Sequence, residues 1–275
     1  MRNPAPSEAP KAPCLLFFDI DGTLFDDRHR MPPSVKPALR AAHENGHKLF
    51  INTGRTLCNR DARLADLPLD GWIMGCGTRI IYEGETLRSL AYDPEASQRL
   101  RDVFAALALP VVFESDDAMY FEPEGPAYEA ITYFRDYAEQ HGLARDLRKN
   151  DPDFHALKMF AFSADPERIR EMERRTAALG MPYTAIDRGQ TGWEIVPAGY
   201  SKGEGIDFIR ERLGLPREAC YAFGDSRNDL TMLRHVAHSV AMGNAEADVK
   251  AVCSYVTARP EEDGIEKALR HFRLI

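Results

Sequence analysis

Residues 14–18, Cys-Leu-Leu-Phe-Phe, form an unbroken apolar run that ends at Asp19, and residues 220–223, Cys-Tyr-Ala-Phe, end in the same manner at Gly224 and Asp225. A strand that is apolar at every position needs cover on both faces, which a sheet with one wet face does not provide. Both runs therefore read as central strands of a parallel sheet. Each delivers a carboxylate at its carboxyl end, where open α/β sheets bind their ligands.

The pattern between and around these runs supports the same class. A helix is expected over Ser34–Asn45, with Val35, Leu39 and Ala42 on one face and Gly46 as its stop, followed by a strand over Lys48–Asn52 that ends at Thr53-Gly54-Arg55. A further helix and a strand over Trp72–Met74 continue the strand–helix alternation of a Rossmann-like, doubly wound parallel sheet. The alternation resumes at Ser201 with a helix to Leu213, the strand at Cys220, a helix from Asn228, a strand over Ser239–Met242 and a last helix from Gly264. From about Glu85 to Trp193 the rhythm differs, with helices near 95–107, 127–140 and 166–179 among strand-like stretches such as 111–113 and 159–162. These residues read as an inserted α+β domain. The expected division is a disordered tail over 1–12, a core over 13–84 and 195–275, and the insert over 85–194.

Composition narrows the function. The formal charge of −8 opposes a dedicated nucleic-acid binder, which needs a basic surface to displace counterions. The proline-rich N-terminus lacks a secretory apolar core, and no stretch reaches the roughly 18 apolar residues of a membrane span. A cytoplasmic protein without membrane or nucleic-acid partners is expected; oligomeric state is not legible. Cys14, Cys58, Cys76, Cys220 and Cys253 are odd in number and form no CxxC pair, so reduced thiols in packing roles are expected. His235 and His238 could share a helix face, yet no further ligand stands at metal-site spacing. They are read as structural.

Asp19 and Asp21 flank one residue, so on an extended chain their side chains leave one face about 6 to 7 Å apart. That spacing suits an in-line displacement in which one carboxylate attacks phosphorus and the other serves the leaving oxygen, with Gly22 allowing a sharp turn after them. A phosphate monoester repels carboxylates, so a divalent cation is required, and Mg²⁺ prefers carboxylate and phosphate oxygens. Asp225, with Asp229 nearby, can supply the opposing wall. The transferred phosphoryl group also calls for hydroxyl, amide and cationic donors. Thr53 and the Gly54 N–H at a helix start, Lys202 in Ser201-Lys202-Gly203, and Asn228 are the candidates.

These residues carry a resemblance. Asp19-Ile20-Asp21-Gly22-Thr23-Leu24, Thr53-Gly54-Arg55, Ser201-Lys202-Gly203 and Gly224-Asp225-Ser226-Arg227-Asn228-Asp229, in that order, resemble the four motifs of the haloacid-dehalogenase superfamily of phosphatases. The long insert resembles the Cof-like branch with a large cap, and Ala241-Met242-Gly243-Asn244-Ala245 and Asp263-Gly264-Ile265 match its downstream sequences. The resemblance implies that Asp19 is the nucleophile forming an aspartyl-phosphate and Asp21 the acid that later activates water. It implies that Asp19, the Asp21 carbonyl and Asp225 hold Mg²⁺, that Thr53, Gly54, Lys202 and Asn228 bind phosphate, and that Asp229 orients Lys202 or the metal shell. Thr23, Arg55 and Asn244 would be supports. Where the family usually shows Asn-Gly-Ala, this chain has Cys76-Gly77-Thr78, so contacts in that loop do not transfer. No His is placed to activate Cys76 as a nucleophile.

The expected activity is Mg²⁺-dependent hydrolysis of a small phosphorylated metabolite, sugar phosphates first and a phosphorylated cofactor such as pyridoxal phosphate next. The alternatives are a phosphomutase of the same fold, for which no second phosphate pocket is marked, and a non-catalytic binder of phosphometabolites, which would lack one of the three aspartates. In the insert, Trp193 and Glu194 are candidates for substrate specificity, with Tyr120, Phe121 and Gln190 behind them. Asp116, Asp117, Asp151 and Asp153 are read as solvated turns.

Overall fold

The computed structural model describes residues 9–11, 13–123, 128–189 and 191–275; most of the expected N-terminal tail, Gln190 and Ala127 lie outside them. In chain order the elements are β1 (Leu15–Phe18), α1 (Val35–Glu44), β2 (Lys48–Asn52), β3 (Gly71–Met74), β4 (Arg79–Tyr82) and β5 (Glu85–Ser89). Then follow α2 (Pro94–Ala106), β6 (Val111–Glu114), β7 (Met119–Phe121), α3 (Glu129–Gln140), β8 (Ala144–Asp146), β9 (Lys158–Phe162), α4 (Pro166–Ala178), β10 (Tyr183–Asp187) and β11 (Gly192–Pro197). The chain closes with α5 (Lys202–Arg212), β12 (Cys220–Gly224), α6 (Leu230–His235), β13 (His238–Ala241), α7 (Ala247–Val252), β14 (Tyr255–Val256) and α8 (Gly264–His271). Among the described residues no helix is long and apolar enough to cross a membrane.

The chain divides into two compact units. One comprises the chain up to Gly54, Asp61–Arg88 and Ser201–Ile275; the other comprises Arg55–Arg60 and Ser89–Tyr200. The first carries an eight-stranded sheet in the order β14-β13-β12-β1-β2-β3-β4-β5. From β14 to β3 neighbouring strands run parallel, and β4 returns antiparallel to β3. Successive strands build outward from β1 on one side through β2 and β3, and on the other through β12 and β13. The order therefore reverses at β1, and the crevice at such a switch point is where doubly wound sheets bind ligands.

The all-apolar strands are buried as their composition requires. Leu15 and Phe17 pack with Phe50, Ala222 and the buried faces of α5, α6 and α7, while Leu16 and Phe18 face the other side of the pleat. Phe18 stacks on Phe223 with ring centroids 4.6 Å apart, both side chains without solvent exposure. Helix α1 packs against α8 and β2 and ends at Gly46, whose φ of 86° is the left-handed stop expected of glycine.

Three expectations are corrected. No α-helix forms between Thr53 and Trp72; one-turn 3₁₀ segments at Leu57–Asn59 and Ala62–Leu64 replace it. The cause is local: Asp61 accepts the N–H of Arg63 with its own side chain, and Pro68 follows, so side chains compete with helical bonding. The core sheet runs on through β5 to Ser89, past residue 85, where the insert was expected to begin. His235 closes α6 whereas His238 opens β13, so the two share no helix face.

The second unit holds a six-stranded sheet in the order β10-β11-β9-β6-β7-β8. One face packs Phe113, Met159, Ala161 and Ile195 against α2 and α4, and on the other Val112, Met119 and Phe121 meet Ala138 and Phe134 of α3. Of the expected solvated turns, Asp151 is instead 5% exposed and accepts the N–H of Asp153.

Because Phe223 has no exposure and fills the stack with Phe18, Phe223→Ala is expected to cost about 3 to 5 kcal/mol of unfolding free energy. Urea denaturation of parent and variant measures it.

Candidate active site

The side chains that matter sit where strands of the core sheet stop. After β1 the Ile20 carbonyl accepts the N–H groups of Thr23, Leu24 and Phe25, so the chain turns instead of running on extended. The expected extended run thus gives way to a turn directly after Ile20. Asp19 is 5% exposed and its N–H is tied to the Phe223 carbonyl, whereas the Asp21 side chain is nearly half exposed and lies 3.7 Å from His29 Nδ1. Gly22 makes the turn possible: its φ is +79°, and a Cβ there would lie 2.3 Å from Asp225 Oδ2.

Strand β2 delivers Thr53, buried, with its N–H on the Ile73 carbonyl and its carbonyl accepting from Cys76 N–H. Gly54 stands in a bend, not at a helix start, so the expected dipole contribution there is absent. Arg55 groups with the second unit, where its charge acts on Glu114.

Lys202 opens α5. Ser201 caps that helix by accepting the Glu204 N–H at 3.0 Å, and Gly77, at φ +92°, lets the Ser201 carbonyl approach to where a Cβ would stand 2.7 Å away. An ammonium at a helix N-terminus opposes the dipole, so it needs anionic partners. Lys202 Nζ finds two, donating to Asp19 Oδ1 and Asp229 Oδ1, each at 2.6 Å, with no exposure of its side chain. Burial alone would lower its pKa, but these two carboxylates override burial and hold it above the ordinary lysine value.

Strand β12 ends at Gly224. Ser226 and Asp229 form a capping box on the following turn, and Asp229 Oδ2 also accepts the Asp225 N–H at 2.9 Å. Protein donors thus reach both oxygens of Asp229. Thr23 Oγ1 donates to Asp225 Oδ1 at 3.0 Å, and Asn244 Nδ2 holds the Gly22 carbonyl at 2.9 Å. Ser226 Oγ donates to Asn228 Oδ1 at 2.6 Å, so the amide nitrogen of Asn228 remains to donate elsewhere.

Asp19, Asp225 and Asp229 each place an oxygen within 4.8 Å of the others, and Asp21 stands outside this group. Three carboxylates share one ammonium. Desolvation, opposed by Lys202 and aided by Asp229, pushes Asp19 up to about 7, and desolvation with Asp229 and Asp19 pushes Asp225 up to about 8. A largely buried all-oxygen set with surplus negative charge suits a hard divalent cation, and among the described residues no thiol or imidazole joins this group to favour a softer one.

Sequence reasoning missed His29, Asn52 and the Ser226 cap. The Ser226-x-x-Asp229 pattern was the available signal for the cap. A lone polar residue ending an apolar strand was the signal for Asn52; His29 gave none. Trp193 and Glu194 lie in the second unit: Trp193 Nε1 donates to the Ser163 carbonyl at 2.9 Å, and Glu194 accepts from Lys158 Nζ at 2.7 Å.

The chain is similar to known proteins over most of its length. A family model described as haloacid dehalogenase-like hydrolase matches residues 16–269. The chain is 29% identical to the putative phosphatase YkrA of Bacillus subtilis over 95% of its own length and 98% of that protein's. It is 28% identical to the HMP-PP phosphatase of an Enterobacter species, over 88% of each. The solved structure of the subclass IIB sugar phosphatase BT4131 superposes with a TM-score of 0.78 at 30% identity, covering 95% of this chain and all of that one, 100%.

A carboxyl whose pKa is higher folded than unfolded binds its proton more tightly in the folded state, so stability falls as pH rises between the two values. With a chelator present, the unfolding midpoint is therefore expected to drop from about pH 4, where unfolded Asp titrates, to about pH 7–8, where Asp19 and Asp225 titrate. Asp225→Asn should flatten that slope in thermal melts across pH, and a slope as steep as the parent's would refute it.

Proposed function

As a member of the haloacid dehalogenase-like hydrolases, to which the chain belongs through a match over residues 16–269, this protein is, we propose, a Mg²⁺-dependent phosphatase of small organic phosphomonoesters. The observation that carries the reading is the buried trio Asp19, Lys202 and Asp229 beside Asp225, Thr53 and Asn228.

Asp19 is the nucleophile. Lys202 bonds one of its oxygens and so fixes the carboxylate's orientation, and attack on phosphorus forms an aspartyl-phosphate while the P–O bond to the leaving group breaks. Asp21, on the exposed side of the turn, donates the proton that the leaving oxygen takes up, then removes one from the water that hydrolyses the intermediate. Thr53, the Gly54 N–H, Lys202 and the Asn228 amide supply donors to the phosphoryl oxygens, in the low-dielectric surroundings where such donors act most strongly. Asp19, Asp225 and the Asp21 carbonyl would hold Mg²⁺, which would supply the positive charge that offsets the repulsion between substrate and carboxylates. Thr23, Asn244 and Asp229 keep these groups in place, and Arg55 supports the loop after Gly54.

The relatives support a small phosphorylated metabolite as substrate, since one is named an HMP-PP phosphatase and a structural neighbour is called a sugar phosphatase. Sugar phosphates lead the candidates. The Ser89–Tyr200 unit is proposed as the specificity-bearing cap, with Trp193 and Glu194 as its trial positions.

Purified protein is expected to release phosphate from 4-nitrophenyl phosphate with Mg²⁺ and not with excess chelator. Asp19→Asn should lower kcat by at least about 10³-fold with an unchanged circular dichroism spectrum, and turnover near the parent's would sink the nucleophile assignment. Asp21→Asn should cost about 10²- to 10⁴-fold, most on alkyl phosphates whose poor leaving groups need the acid.

A further inference from the structure

We propose that Asn52 is a positioning residue for Lys202, tying the strand end that delivers Thr53 to the helix end that delivers the ammonium. Asn52 is the last residue of β2 and has no solvent exposure. Its Nδ2 donates to the Lys202 backbone carbonyl at 2.9 Å. Its Oδ1 is buried and has no hydrogen-bond partner among the described residues.

This amide is expensive where it stands. Residues 49–51 ahead of it are apolar and fully buried, and a strand end needing only to pack would continue in kind. A buried amide with half its hydrogen-bonding capacity unmet is destabilising. Local rules are broken in this way chiefly where function requires it, and here the bonded half of the amide reaches Lys202, whose side chain joins Asp19 to Asp229.

The geometry explains what the tether does. A lysine side chain is long and flexible, so its ammonium is placed only as well as its backbone. The N-terminus of α5 is seated by close-packed contacts, Gly205 against Ile73, Gly203 against the Thr231 carbonyl and Gly77 against the Ser201 carbonyl, and by the Arg88 guanidinium on Glu204. The packing contacts limit approach, and the ion pair holds the side chain of Glu204 two residues on. The Asn52 bond is aimed at Lys202 itself. It makes Thr53 and Lys202, distant in sequence, move as one frame. Asn52 touches no reacting atom, so its effect passes wholly through Lys202.

The proposal rests on the reading of Lys202 as a phosphate and nucleophile contact, and a double-mutant cycle separates the two. Asn52→Leu replaces both polar atoms by apolar ones of similar shape, and Asn52→Ala serves should leucine overpack the site. Hydrolysis of 4-nitrophenyl phosphate with Mg²⁺ is measured for the parent, each Asn52 variant, Lys202→Ala and the double variants, beside thermal unfolding. Either Asn52 variant should lower kcat about ten-fold in the parent background, and Asn52→Leu should do so without lowering the unfolding midpoint. In the Lys202→Ala background the same substitutions should cost less than about two-fold. Parental kcat in both Asn52 variants, an activity loss that follows a loss of stability, or an equal penalty with and without Lys202 would each overturn the tether. A parental rate in Lys202→Ala alone would overturn the reading on which it rests.

Discussion

The ammonium of Lys202, without exposure and bonded at 2.6 Å to both Asp19 and Asp229, is the interaction on which the arrangement of the core depends. Burying several carboxylates at the end of an apolar sheet is costly by itself, because each loses its water and repels the next. One cation between Asp19 and Asp229 offsets part of this. Asp229 also accepts the N–H groups of Asp225 and Ser226 on its other oxygen. The charge left uncompensated lies on Asp19 and Asp225, the two carboxyls whose pKa values are driven up. Lys202 thus joins the carboxylates and stands at the nucleophile, and a defined deficit of positive charge remains there. A divalent ion and a phosphate anion together are the natural complement to that deficit.

The sheet explains why such a deficit can be held rigid. Each contributing residue follows a strand buried on both faces, so its backbone cannot shift without moving the core: Asp19 after β1, Thr53 after β2, Asp225 after β12. The strands are registered against one another, with Phe18 opposite both Ile51 and Phe223. The ends are then laced together by side chains, Thr23 to Asp225 and Asn244 to Gly22. Gly22 carries two requirements at once, a left-handed backbone and the absence of a Cβ where Asp225 stands. Any side chain there would displace the carboxylate that opposes Asp19.

What could be read from the sequence was whatever depends on local pattern. The apolar runs announced β1, β2 and β12, and the polar groups that end them announced Asp19, Thr53 and Asp225, because burial on both faces leaves a strand no other composition. Lys202 stood out because a cation at a helix start is locally wrong. What could not be read depends on partners far along the chain or on competition within a turn. The bond from Asn52 spans 150 positions. The segment after Gly54 has apolar residues at helical spacing, yet Asp61 satisfies a backbone N–H with its own carboxylate and the helix is lost. The turn at Ile20, which separates the environments of Asp19 and Asp21, is set by three N–H groups converging on one carbonyl, and the Asp-x-Asp spacing alone implied an extended chain.

The inserted unit shows the same division between structural and available chemistry. Trp193 and Glu194 are adjacent on β11 and so point to opposite faces of its sheet. Trp193 packs against the cluster under α2 and α4, and its indole N–H is taken by the Ser163 carbonyl. Glu194 is 3% exposed and shares Lys158 with Glu114, which stands directly across from that lysine on β6. Removing a member of a buried ion cluster of this kind is costly, since the charges that remain lose part of their compensation. Loss of activity on substituting Glu194 therefore carries information about specificity only if it differs between substrates. A change in the ratio of kcat/KM for two phosphate esters isolates recognition, whereas a uniform loss reports the collapse of the ion cluster.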